Sequence, residues 1–432
     1  MKRIISGICL YLSLLLLMSL VSSCSVPQVE RFEKSEPSAW VDGSPKVIRF
    51  WMRGNESSEL SESFRQDMLA YELSHPDIKI EYDFIAYPDV ESKWNTAFAG
   101  GTAPDLFEIG IINLASRANL NQLAPLDSYI QAWVDRKDIP EPVYRFGSYQ
   151  GHIYGLGYMY APNIFVYRKD FFEEAGLNPD HTPKSWDELL DYASKLALKD
   201  DGRLTRGGFV IPRQGGEFWL EIFGRQNGNE IVDENGMIPV FDSPSAVEAV
   251  QYLLKLLPYS ATYNSLNGEK NPFLLNNAAM TYMPAEDINA LLRAKPSLKN
   301  HIGAAGDVPG KRHSTFNGLR LFAISNSSRH KSEAWDVIQF LMSRERMRTR
   351  MKAINVPGTR ESLIPEFVSL RPELNSAIMD AVRIGTGRPN LTWSPLYEKY
   401  ARRGYEEAIF QTKPPEQALG DAVKELLKEI GR

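Results

Sequence analysis

The sequence predicts an α/β fold. Short β-branched and aromatic runs alternate with segments whose apolar residues recur at helical spacing, and Gly, Pro or capping residues mark the junctions. Strand–helix–strand order of this kind predicts a parallel sheet with helices on both faces. Val47, Ile48, Phe50 and Trp51 make the first strand, Gly54-Asn55 a loop, and Leu60, Phe64, Met68, Leu69 and Leu73 the first helix. Residues 78–84 and Leu106-Phe107 read as further strands. Ile164, Phe165, Val166 and Tyr167 suit a buried strand. Gly176 and Pro179 then stop a helical turn over 170–175. Ser185 and Glu188 form an S-x-x-E capping box, and Leu189, Leu190, Ala193, Leu196 and Ala197 share one face of the helix it starts. Residues 303–313 are the most polar interior break, and a strand over 316–324 follows directly.

The N-terminus predicts a compartment. Lys2 and Arg3 precede an apolar stretch over 4–20, and Val21-Ser22-Ser23-Cys24 supplies small residues before a cysteine, the pattern of a lipoprotein signal (1–23) with Cys24 as the lipidated residue. A signal anchor is the alternative, since a span needs roughly 20 apolar residues. Cys9 leaves with the signal, so the mature chain can form no intramolecular disulfide, and its 409 residues must be stabilised by hydrophobic cores. Residues 24–45 lack hydrophobic periodicity and contain Pro27, Pro37, Gly43, Ser44 and Pro45, as a tether would. The formal charge of −5 becomes −7 once Lys2 and Arg3 are removed, which argues against nucleic acid as a partner.

Enzyme signatures are poorly represented. The sequence has no H-E-x-x-H or G-x-S-x-G, its six histidines are scattered, and no zinc site is expected. Residues 306–311 resemble a phosphate loop, but the glycine spacing is one residue short and Arg312 replaces the Ser or Thr needed for magnesium, so a turn is expected.

Tyr167-Arg168-Lys169-Asp170 and Pro183-Lys184-Ser185-Trp186-Asp187-Glu188-Leu189, together with segments 75–85, 94–110, 123–130, 316–345 and 355–363, resemble in order the extracellular solute-binding proteins of sugar ABC importers, the maltose-binding-like family. The resemblance implies a two-lobed periplasmic-binding-protein-like fold, each lobe a central sheet flanked by helices. It places one lobe at 46–160 and 316–355 and the other at 163–312 and 358–432, with crossings near Pro162 and Phe316 that could hinge. It also implies an extracytoplasmic, lipid-anchored protein that captures a sugar or oligosaccharide and delivers it to the transmembrane subunits of a permease, without catalysis, cofactor or metal. A surface carbohydrate-active lyase or hydrolase, and a binding protein feeding a sensor kinase, are the alternatives.

A sugar site needs flat aromatic surfaces for C–H faces and polar groups for hydroxyls. The chain holds eight Trp, nineteen Tyr and twenty Phe. By resemblance, Trp51 and Arg53 at the end of the first strand, Tyr158 and Tyr160 beside the first crossing, Trp219 in GGEFWLEIFGRQNG and Trp393 between Thr392 and Ser394 face the cleft. Trp393 and Tyr158 are the stacking candidates. Core packing is the alternative for each, evenly balanced for Trp219, while Trp94, Trp186 and Trp335 are assigned to the core. Asp105 could bind a hydroxyl or tie a strand end, and Glu108, just past Leu106-Phe107, is expected in the cleft. Glu286-Asp287 stand where the family has Gly and an aromatic, which puts carboxylates in the cleft, and Asn317 sits beside Gly318 at a presumed hinge.

Overall fold

The computed structural model describes residues 45–432; the signal segment, Cys24 and nearly all of the tether lie outside it. Its centre is an eight-stranded sheet. The strands are β1 (Lys46–Arg53), β2 (Ile78–Ile85), β3 (Leu106–Gly110), β4 (Leu156–Arg168), β5 (Met280–Pro284), β6 (Ile302–Ala305), β7 (Thr315–Ile324) and β8 (Gly385–Thr386). Their order is β5-β4-β7-β3-β1-β2, with β6 also paired to β4 and β8 to β7.

The sheet is mixed, which corrects the expected parallel arrangement. β1 pairs in parallel with β2 and β3, but β7 runs antiparallel to β3, and β4 antiparallel to β7, β5 and β6. The reason is the length of β4. It continues through Pro162 without a break, pairing its first half with β7 and residues 163–168 with β5 and β6.

Side chains of β4 also divide two cores, because successive residues of a strand point to opposite faces. Ile164 and Val166 join a cluster that includes Phe50, Phe64, Phe107 and Phe322. Phe165 and Tyr167 join one that includes Phe209, Phe223, Tyr282, Tyr397 and Tyr405.

The helices that shape the site are α1 (Glu59–Ser74), α2 (Val90–Gly100), α3 (Ile111–Asn119), α4 (Trp186–Leu196), α5 (Glu217–Gln226), α6 (Ala285–Ala294), α7 (Arg344–Ile354), α8 (Pro372–Ile384) and α9 (Ser394–Ile409). Ser185 caps α4, its Oγ accepting from the Glu188 N–H at 3.2 Å, while the Glu188 carboxylate reaches back to the Lys184 N–H at 2.8 Å. Trp94 and Trp335 are buried in the first core, and Trp186 stacks on Tyr252 with centroids 4.4 Å apart.

Residues after 358 do not pass at once to the second core: Arg360 donates to the Met342 carbonyl at 2.7 Å and pairs with Asp135 and Asp138, and Leu363 and Phe367 pack in the first core. α8, which packs on β4 and β6, also contributes Leu374, Ile378 and Ala381 to the first core.

Candidate functional site

Strand ends and helix starts converge on one polar centre. Arg53 ends β1, Glu108 lies on β3, Arg320 on β7, and Glu286 and Asp287 occupy the first turn of α6, where carboxylates suit the exposed N–H groups. Glu108 is buried, and Arg53 donates to it from Nη2 at 2.9 Å and from its backbone N–H at 3.3 Å. Arg320 lies 3.5 Å from the same carboxylate and donates to Glu286 at 3.0 Å. Both guanidiniums stand 5.7 Å from the centre of the Tyr87 ring, within cation–π range. Two arginines thus balance two glutamates.

Asp287 is different: among the described residues it has no ion-pair or hydrogen-bond partner. Solvent reaches its carboxyl, but protein surrounds the group on most sides. That desolvation, and secondly the Glu286 charge, push its pKa up to about 6.

Beside this centre lies a cavity of about 460 Å³, within the range of small-molecule sites. One wall is the start of α1, Ser57 to Leu60, and the other is α6 from Glu286 to Ala294, with Ile354 at the edge. The α1 start is built locally: Ser58 Oγ accepts from the Ser61 N–H at 3.1 Å, and Asn55 Oδ1 from the Ser57 N–H at 3.0 Å. Arg53, Glu108, Glu286 and Asp287 are therefore brought together or beside one another.

The other expected residues lie elsewhere. Trp51 lines a separate groove of about 340 Å³ with Ser92, Lys93, Thr96 and Thr102, and the Lys93 ammonium covers its ring at 4.7 Å. Asp105 precedes β3, at the end away from the strand's carboxyl terminus. It accepts from the Arg49 N–H at 3.0 Å and Ser328 Oγ at 2.6 Å, tying segments together. Tyr158, expected to stack on ligand, is 1% exposed and stacks instead on Phe322 at 4.2 Å. Tyr160 is buried at the crossing, its N–H donating to the Pro357 carbonyl at 3.2 Å, and burial pushes its phenol up to about 12. Trp219 and Trp393 are both buried in the second core, Trp219 donating to the Val210 carbonyl at 3.2 Å. Trp393 precedes α9 and packs inward because its loop folds onto that core. Asn317 is buried too, donating to the Val382 carbonyl at 3.3 Å.

Sequence reasoning did not single out an aromatic pair at the start of β7. Phe218 and Phe316 are half-buried and meet edge to face at 4.7 Å, with the Arg388 guanidinium 4.6 Å from Phe218. Each lies one position from an expected residue, Trp219 or Asn317. On β7 a single step reverses the face, and on α5 it turns the side chain by about 100°. Arg388 itself is buried among Glu221, Glu217 and Glu398, with Arg402 pairing to the latter two. Among the described residues no group of three or more His, Cys, Asp or Glu could hold a metal ion.

Residues 55–347 match the profile of the family described as bacterial extracellular solute-binding protein. A binding protein of Brucella abortus is 25% identical over 299 residues, 67% of this chain and 70% of that protein. The sn-glycerol-3-phosphate-binding periplasmic protein of Escherichia coli K12 is 28% identical over 211 residues, 46% of this chain and 45% of that protein. Among solved structures, an ABC transporter solute-binding protein of Thermotoga lettingae bound with α-D-tagatose superposes with a TM-score of 0.80 at 22% identity, covering 89% of this chain and 99% of that one. The maltotriose-bound maltose/maltodextrin-binding domain of Bdellovibrio bacteriovorus gives 0.76 at 18% identity, covering 89% and 100%. At these identities the superpositions establish the shared two-lobed fold.

Proposed function

From the chain's membership of the bacterial extracellular solute-binding protein family, which the match over more than half its length establishes, we propose that it captures a sugar or oligosaccharide between two lobes and delivers it to an ABC permease. The observation that carries the reading is the cavity of about 460 Å³ between the start of α1 and α6, beside the Glu108–Arg320–Glu286 centre; on the lobe division expected from the sequence, its two walls come from different lobes. The lobes of this reading are those expected from the sequence, 46–160 with 316–355, and 163–312 with 358–432.

In this reading Asp287, the carboxylate without a partner, accepts hydrogen bonds from ligand hydroxyls, with Ser57 and Ser58 on the opposite wall of the cavity. Binding holds the lobes together, and the closed complex is what the permease receives. No catalytic step is assigned. The family is extracytoplasmic, and the finer placement proposed is a membrane anchor through lipid on Cys24, with residues 25–45 as tether.

Thermal-shift measurement tests the ligand class. Mannobiose, mannotriose, maltotriose and tagatose form the sugar arm, and sn-glycerol 3-phosphate the other, following what similar proteins bind. A ligand at 100 times its dissociation constant adds about 2.7 kcal/mol of stability. Stabilisation by glycerol 3-phosphate with none by any sugar would overturn the carbohydrate reading.

A further inference from the structure

An asparagine followed by glycine is a place where a chain can modify itself, because a residue without a Cβ lets its backbone nitrogen approach the preceding side chain. The chain has four such pairs, at 227–228, 235–236, 267–268 and 317–318. The reaction asks three things of the fold: a side-chain amide free to turn, a glycine N–H not committed to a strong hydrogen bond, and access for water. The four sites differ in all three.

Asn317 and Asn227 are closed to it, each only 5% exposed. Asn317 donates to the Val382 carbonyl at 3.3 Å, and its glycine pairs with Ala161 on β4. Asn227 donates to the Ser245 carbonyl and to Glu248, each at 2.8 Å, and the Gly228 N–H donates to the Arg225 carbonyl at 3.0 Å. Asn235 is exposed, but its turn is tied. The Gly236 N–H donates to the Asp233 carbonyl at 2.8 Å, Asp233 Oδ1 accepts from the Met237 and Ile238 N–H groups at 2.8 and 2.9 Å, and Oδ2 accepts from Asn235 itself at 3.4 Å.

Asn267 meets all three conditions. It ends the short turn Ser265–Asn267 with its side chain exposed, and among the described residues that amide has no partner. The Gly268 N–H reaches the Ser265 carbonyl only at 3.3 Å, longer than the roughly 2.7–3.2 Å of an ordinary N–H···O bond. Gly268 stands at φ +73, and apart from its chain neighbours nothing lies within 4 Å of where a Cβ would project.

We propose that Asn267 is a site of spontaneous modification. The Gly268 nitrogen, losing its proton to solvent base, forms a bond to Asn267 Cγ, and the Cγ–Nδ2 bond breaks to release ammonia. Water then opens the cyclic imide at either carbonyl, giving aspartate or, with the main chain rerouted through Cβ, isoaspartate. No oxidant or reductant takes part. The new carboxylate lies two residues from Glu269, which accepts from the Asn264 N–H at 2.8 Å, in the turn where Asn264 Oδ1 holds the Leu266 and Asn267 N–H groups at 3.0 and 3.3 Å. The inference goes beyond solute binding and is independent of the ligand.

The purified full chain, aged at mildly alkaline pH both natively and in urea, tests it by peptide mass mapping of the four pairs, with enzymatic methylation to count isoaspartate. In the native protein the Asn267 peptide should convert severalfold faster than the Asn235 peptide, while the Asn227 and Asn317 peptides keep their amides. In urea, where the fold no longer separates them, the four rates should converge. Asn267→Gln should remove the isoaspartate that accumulates first. An Asn267 peptide that keeps its amide in the native protein overturns the proposal, as does conversion at Asn235 that matches or exceeds it. A ranking in urea identical to the native one would trace the selectivity to neighbouring residues instead of the fold, and overturns it too.

Discussion

Replacing Tyr158 with alanine removes a ring that lies flat on Phe322 at 4.2 Å and edge-on to Phe64 at 5.7 Å. Deleting a large aromatic from such a core costs about 3–5 kcal/mol. A body of roughly 390 residues unfolds with an entropy of about 0.8 kcal/mol per kelvin at its midpoint, so the melt should fall by about 4–6 °C. Phenylalanine is the informative partner. The Tyr158 hydroxyl is buried without a hydrogen-bond partner, and burial drives its phenol far above the ordinary range. Removing it discards a desolvated group, so Tyr158→Phe should be neutral or stabilising by up to about 1 kcal/mol. Calorimetric unfolding and ligand titration on both variants check this: affinity should hold wherever the protein is folded. An alanine variant that melts with wild type, or a phenylalanine variant that loses ligand, would refute the core assignment and return Tyr158 to the pocket.

Asp105→Ala loses two hydrogen bonds to a carboxylate and should cost about 2–3 kcal/mol in denaturant unfolding with ligand affinity unchanged; loss of affinity at full stability would place Asp105 in the site. Asp287 has a folded pKa raised to about 6 from an ordinary 3.8, so its contribution to stability is present at acid pH and lost as pH rises through 6. Asp287→Asn should remove that loss, melting at or above wild type at pH 8, yet bind ligand more weakly; wild-type affinity would separate the carboxylate from recognition. Ligand affinity of the unsubstituted protein should fall as pH drops through 6. Cys24→Ser should leave the chain unlabelled by radioactive fatty acid and shift it out of the membrane fraction, and retained label would disprove the lipidation site.

Local chemistry was readable from the chain. The Ser185 cap needs only a hydroxyl three residues before an acid, and β1, β2 and α1 each carry their own periodicity. Long-range pairing was not. Nothing in Leu106–Gly110 or in residues 315–324 announces that they lie antiparallel, and the parallel expectation failed there. Segment order located the strand ends and helix start at which Arg53, Glu108, Glu286 and Asp287 stand, beside the cavity. The aromatic assignments failed by register or by burial. Trp219 and Asn317 stand one residue from Phe218 and Phe316, and Trp393 and Tyr158 turn inward because neighbours distant in sequence cover them. Arg320 and Arg388 gave no signal, since a buried arginine differs from a solvated one only in where distant carboxylates fall.

The position of β7 in the sheet has a consequence for biosynthesis. This strand sits between β3 and β4, yet it is translated long after both: Gly110 must wait for Arg320, and Tyr160 for Leu319. Until then a growing chain carries β1, β2 and β3 with one edge of the sheet unsatisfied, and closing so long a loop is slow. If the chain crosses a membrane before folding, as the N-terminal signal pattern predicts, that delay favours export. The first core cannot be completed until β7 has been made, so the topology itself delays folding of the N-terminal strands.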